Sequence, residues 1–152
     1  MSAIAARLAE LGIVLPNPVA PVANYVPFVR TGSLLVISGQ ISLGPDGLLT
    51  GKLGADVSIE DGQKAARVCG LNVLAHIRSA VGNLDNVIRI VRLGGFINCT
   101  PDFLDAPKVM NGASDLMVEV FGEKGRHARS TIGVAALPAN AAVEVEAMVE
   151  IA

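Results

Sequence analysis

The residues best equipped for chemistry lie near the C-terminal end of the chain. From Arg129 to Val134 the side chains alternate, with Ile132 and Val134 on one parity and Arg129, Thr131 and Gly133 on the other. From Val143 to Ile151 the apolar Val143, Val145, Ala147, Val149 and Ile151 alternate with Glu144, Glu146, Met148 and Glu150. Successive side chains of a strand point to opposite faces. If both apolar sets meet covering helices, Arg129, Thr131 and Glu144 share the uncovered face. Arginine is a planar, permanently charged fork suited to gripping a carboxylate through two parallel hydrogen bonds. Such a face is either a site or a solvated surface, because charged residues are almost never fully buried unless paired. Parity does not choose between the two.

Spacing adds a constraint. If Leu137-Pro138-Ala139-Asn140 closes a simple hairpin, Arg129 stands opposite about Glu150, and Glu144 lies roughly 20 Å away along the strand at about 3.3 Å per residue. A site that uses both requires non-adjacent strands or a second subunit. His76 and His127 have no partner at metal-binding or triad spacing, so both are expected to be structural or solvent-facing. Cys69 and Cys99 form no CxxC pair, so the expectation is two buried thiols in a reducing cytosol, with no zinc site and no disulfide.

The elements that position these residues are legible in outline. Ser2 can cap a helix to about Leu11, with Ile4, Leu8 and Leu11 on one face and Gly12 as its stop. Residues 15–23 hold three of the eight prolines and must be extended. Tyr25 to Arg30 and Leu34 to Gln40 read as two strands of a hairpin, followed by a turn at Pro45-Asp46-Gly47. Ser58-Ile59-Glu60-Asp61 has the form of a capping box opening a helix to about Val81, with Ala65, Val68, Cys69, Leu71, Asn72, Ala75 and Ile77 as its buried stripe. The weak alternation from Val87 to Phe96 suggests a central strand covered on both faces. A third helix starts near Asp105 and ends before Gly122. These elements give an α+β layer with helices on one sheet face, expected as one domain over 1–152, with 1–20 a helix and lead-in and 21–152 the core.

Composition narrows the function classes. Apolar residues make up 51% of the 152-residue chain and charged residues only 17%, below the usual quarter. No apolar run spans a membrane, and the N-terminus lacks a signal-peptide pattern, so the chain is expected to be cytoplasmic, off the membrane, with its excess apolar surface buried between subunits. A net charge of −2 with scattered basic residues argues against nucleic acid as a partner.

Ser38-Gly39-Gln40, the stretch Ala128-Arg129-Ser130-Thr131 through Leu137-Pro138, and Val143-Glu144-Val145-Glu146-Ala147 resemble the SGQ and ARS...LP...EIEA segments of the RidA (YjgF) family, older records of which carry the label endoribonuclease L-PSP. Asp102-Phe103 and Val109-Met110-Asn111 are similar to its D-F...V-N helix start. The likeness covers about residues 20–152. It implies a chorismate-mutase-like six-stranded mixed sheet with helices on one face, a homotrimer with clefts between subunits, and hydrolysis of reactive 2-imino and 2-enamino acids to 2-keto acids and ammonia, without metal or organic cofactor. The resemblance places Glu144 as the residue that activates water and Arg129 as the grip on the substrate carboxylate. Thr131, which stands where many relatives carry Cys, would hold a substrate oxygen. Tyr25 would close the cleft, Asn111 would donate to the substrate or brace its helix, and Ser38 and Gly39 would line the pocket. The sequence departs from the family pattern at Ala23-Asn24, in its extra N-terminal helix and at Gly133, as in an outlying, longer subgroup. Two other functions remain open: a non-enzymatic trimeric binder of carboxylate metabolites, and the nuclease or translation-inhibitor role of the older label. The acidic chain, with one Tyr and no Trp, offers no basic aromatic platform for that role.

Overall fold

The computed structural model of the protein describes residues 2–18, 20–21 and 23–152. Helix α1 (Ala3–Glu10) is capped as expected, the Ser2 hydroxyl accepting from the Ala5 amide at 3.1 Å. The Asp85 carboxylate takes the next free amides, Ala3 at 3.0 Å and Ile4 at 2.9 Å, and so ties the helix down. Strand β1 (Phe28–Thr31) turns through Gly32 (φ +60°) into β2 (Leu34–Ile41), and β3 (Leu43–Gly44) and β4 (Gly47–Leu48) form a separate small hairpin. Tyr25 and Val26 lie outside β1, a correction to the expected strand. Pro27 has no amide to donate to a ladder, and pairing with β2 begins at Phe28 and Ile37.

Helix α2 (Ile59–Val81) starts on the Ser58 cap, whose hydroxyl accepts from Asp61 at 3.1 Å. Its buried stripe runs through Ala65, Ala66, Cys69, Val73, Leu74 and Ile77, with Val68, Leu71 and Asn72 only half-buried. Strand β5 (Val87–Asn98), helix α3 (Ala106–Phe121), strand β6 (Ala128–Val134) and strand β7 (Val143–Ile151) complete the chain. The main sheet has five strands in the order β1-β2-β7-β5-β6, not six. All pairs are antiparallel except β5 with β6.

Two expectations about strands fail for physical reasons. Strand β5 is internal but not covered on both faces: Ile88, Arg89 and Val91 are exposed. Irregularities at Val87/Arg89 and Ile90/Arg92 break its alternation, so Val87, Ile90 and Leu93 are the buried residues of its first part, while from Leu93 to Asn98 only Phe96 is less than buried. β6 and β7 do not form a hairpin, because β5 lies between them and pairs with both. The connecting segment is held instead by buried Asn98, whose Nδ2 donates to Asn140 Oδ1 and the Ala141 carbonyl at 3.1 Å each. Lys52 donates to Asn98 Oδ1 at 2.6 Å and to the Ala135 carbonyl.

The core lies between the helices and one sheet face, with Leu35, Ile37, Leu93, Ile97, Val145 and Val149 packed under Val73, Leu74, Val109, Leu116 and Met117. Cys69 and Cys99 are both buried free thiols, as expected. Among the described residues no helix is long and apolar enough to cross a membrane.

Candidate active site

Register decides which face each candidate occupies. Arg129 pairs with Leu93, a core residue, so it lies on the helix side of the sheet. Ile132 pairs with Phe96, which in turn pairs with Glu144 on its other flank, and these three share the open face. The expectation that Arg129, Thr131 and Glu144 share one face is therefore wrong. It assumed that the apolar parity of β6 faces the helices, yet Ile132 is 51% exposed on the open side. That face carries apolar side chains of its own, Val29, Val36, Phe96, Ile132 and Met148, beside Glu144, Glu146 and Glu150. Arg129 and Glu144 stand two strands and three residues apart, roughly 14 Å between backbones, on opposite faces.

The Arg129 guanidinium lies against α3. Its Nη1 donates to Asn111 Oδ1 at 2.9 Å and to Ser114 Oγ at 3.1 Å, and its Nη2 donates to the Pro107 carbonyl at 3.3 Å. These contacts use both hydrogens of Nη1 and one of Nη2. Nε–H and the second hydrogen of Nη2 bind no described residue. Helix α3 thus orients the arginine and leaves donors of the guanidinium free. Asn111 Oδ1 braces the arginine, a role distinct from the two expected for it, donation to a substrate or bracing of its own helix. Two residues along, the Thr131 Oγ is buried without a hydrogen-bond partner among the described residues, a cost that a ligand oxygen would relieve.

Glu144 belongs to a second cluster. Its carboxylate lies over Gly39, where a Cβ would stand 2.3 Å from Oε2. Glycine at 39 is therefore a requirement of this approach. Burial, foremost, and the neighbouring Glu146 charge raise the Glu144 pKa above the ordinary carboxylate value. Gly39 occupies the irregularity where β2 slips register between Ile37 and Gln40. Beside it, Tyr25, Pro27, Gly39, Gln40 and Asn72 line a cavity of about 190 Å³. Tyr25 is 56% exposed at this mouth, while the Ser38 hydroxyl donates to the Val26 carbonyl at 2.8 Å. The chain therefore carries Arg129, Thr131 and Asn111 in one cluster and Glu144, Gly39, Ser38 and Tyr25 in another.

Residues 5–151 match the family described as "YjgF/chorismate_mutase-like, putative endoribonuclease". The chain belongs to the RidA/YjgF family. It is 49% identical to Protein TCP17 of Trypanosoma cruzi, with 97% of this chain and 94% of that protein covered. It is 30% identical to a 2-iminobutanoate/2-iminopropanoate deaminase of Dermatophagoides farinae, covering 90% of each. The crystal structure of Atu1372, a protein of unknown function from Agrobacterium tumefaciens, superposes with a TM-score of 0.91 at 44% identity, covering 98% of this chain and 92% of that one.

Within this RidA/YjgF fold, sequence reasoning missed two members of the arginine cluster. Ser114 is an ordinary helix residue by pattern. His127, expected to be structural or solvent-facing, is half-buried and reaches Arg129 through Ser114, with Nε2 2.9 Å from Ser114 Oγ. The sequence separation of these groups hides the contact, and the only available signal was the polar residue of α3 one turn after Asn111. His76 is buried in α2 with Nδ1 unpartnered among the described residues.

Proposed function

We propose that the protein hydrolyses short-lived 2-imino acids to 2-oxo acids and ammonia, in clefts formed where the Arg129 cluster of one subunit meets the Glu144 cluster of another. The observation that carries this reading is the Arg129 guanidinium, oriented by three helix contacts with Nε–H and one Nη2 hydrogen left without a partner among the described residues. Thr131, Tyr25, Ser38 and Gly39 line the same cleft. In this chemistry the imino acid carboxylate binds Arg129, and water adds to the imine carbon while Glu144 takes its proton. Glu144 returns that proton to the nitrogen, giving the carbinolamine, and then carries the hydroxyl proton to the amine, so that the C–N bond breaks with loss of ammonia and the 2-oxo acid is left. A carboxylate with a raised pKa suits the base role, since general-base efficiency rises as the base approaches the working pH. The 30% identity to an imine deaminase supports the reaction class. The residues present supply binding and proton transfer without a further group.

The test is ammonia release from 2-imino acids generated in place by an amino-acid oxidase. Wild-type protein should accelerate release. Arg129→Ala should raise KM about a hundredfold or more, since it removes two hydrogen bonds to charge worth about 1.5–3 kcal/mol each. Glu144→Gln should lower kcat by about 10²–10⁴, the usual contribution of a positioned base. No acceleration across several side chains would reject catalysis and leave a carboxylate-binding protein.

A further inference from the structure

Arg129 does not end its hydrogen bonding at α3. Ser114 Oγ, its acceptor at 3.1 Å, lies 2.9 Å from His127 Nε2, and His127 Nδ1 lies 2.6 Å from the Gly125 carbonyl. We propose that Ser114 and His127 form a hydrogen-bonded relay that sets the Arg129 guanidinium, making His127 a positioning residue for carboxylate recognition. The inference rests on the assignment of Arg129 as the carboxylate grip.

The direction of the relay follows from what each atom can do. A carbonyl only accepts, so Nδ1 carries the hydrogen; the opposite neutral tautomer would press two lone pairs together at 2.6 Å. Nε2 of the neutral ring is then an acceptor, and the Ser114 hydroxyl donates to it. That orientation turns the Ser114 lone pairs toward Nη1 of Arg129 and so holds the guanidinium against α3. Protonation of His127 reverses the last link. Nε2–H would donate to Ser114 Oγ, turn the hydroxyl hydrogen away from the ring into the space of the Arg129 contact, and place a second cation beside the guanidinium. Burial, foremost, and the Arg129 charge lower the His127 pKa, against the Gly125 hydrogen bond, so the neutral ring is favoured. The other charges nearby are Arg126, paired with Glu123 at 2.9 Å, and Arg89 of β5, whose Nη2 reaches the Arg126 carbonyl at 3.5 Å. From α3 the ring meets the neutral Ser114 hydroxyl.

The test combines ring nitrogen-15 NMR with calorimetric binding of 2-oxobutanoate, which is ionised throughout, from neutral to mildly acidic pH. The wild-type ring should carry its hydrogen on Nδ1 at neutral pH, and Kd should rise as the His127 signals titrate. His127→Gln keeps an acceptor for Ser114 but does not titrate, so it should bind as wild type does at neutral pH and lose the acid dependence. Ser114→Ala should weaken binding roughly two- to tenfold, the range of one hydrogen bond, with KM rising and kcat unchanged. An Nε2–H tautomer, an unaltered acid dependence in His127→Gln, or wild-type affinity in Ser114→Ala would each overturn the relay. A wild-type protein that binds no 2-oxo acid would instead overturn the carboxylate assignment of Arg129, and the recognition role of His127 with it.

Discussion

Glu144 sits where the fold works against its charge, and this has a consequence for stability as well as for catalysis. Its folded pKa lies above the ordinary value because burial and Glu146 both disfavour the ionised form. Between the unfolded and folded pKa values the folded chain therefore holds more protons, and stability falls as pH rises through that window. Below the unfolded value the stabilising effect of the protonated acid is fully present. Glu144→Gln, a neutral isostere, should thus unfold at a higher temperature than wild type at neutral pH, with the gap closing on acidification below the ordinary carboxylate range. Thermal unfolding across pH checks this, and a less stable Gln variant at neutral pH would mean that the ionised carboxylate has a compensating partner. A second single-residue effect lies at Ala139, held at φ +54° between β6 and β7. An L side chain costs about 1–2 kcal/mol there, partly offset by the greater unfolded-state entropy of glycine. Ala139→Gly should accordingly be neutral or stabilising by up to about 1 kcal/mol in denaturant titration.

At the scale of elements, the site depends on how closely α3 approaches α2. A Cβ at Gly112 would stand 2.0 Å from the Gln63 carbonyl oxygen, and one at Gly70 would stand 2.9 Å from a Leu116 methyl. The first obstacle is backbone and cannot rotate away. Gly112→Ala should therefore push the helices apart at a cost near the upper end of the 1–3 kcal/mol usual for overpacking. It should also raise the KM for the proposed 2-imino acid substrates, because Asn111 and Ser114 flank that glycine and orient Arg129. A loss of stability with unchanged KM would show that the arginine cluster moves with α3 as a unit. The helices themselves were legible in sequence because their caps and apolar periods agree: Ser2, Ser58, Gly82 and Gly122 mark observed ends. The strands were less so. Bulges in β5 replace alternation with a spacing that imitates a doubly buried strand. Parity placed Arg129 opposite Ile132 correctly but could not say which of them meets the helices, because the uncovered face carries apolar side chains too. The cross-strand neighbours of β6 and β7 depend on β5, which no local pattern within residues 128–151 records.

For the molecule as a whole, exposed apolar side chains on the open sheet face and a divided set of site residues call for the same solution. Val29 and Ile132, 53% and 51% exposed, flank Val36, Phe96 and Met148 on a face that no described helix covers. A chain with 51% apolar residues has reason to bury that face, and closed symmetric association is the usual way to do it. The same association can bring Glu144 of one copy to Arg129 of another, which one chain holds on opposite faces. Complementation tests this directly. Arg129→Ala and Glu144→Gln subunits, each inactive alone, should recover activity when co-expressed. In a homotrimer with three inter-subunit clefts and random mixing, three-quarters of the assemblies are mixed and each contains one cleft with both wild-type residues. Activity should then reach about a quarter of the wild-type value. A site contained within one subunit would give none at any mixing ratio. Recovery that is abolished by Ile132→Glu, with light scattering showing monomers, would tie the shared cleft to the open sheet face.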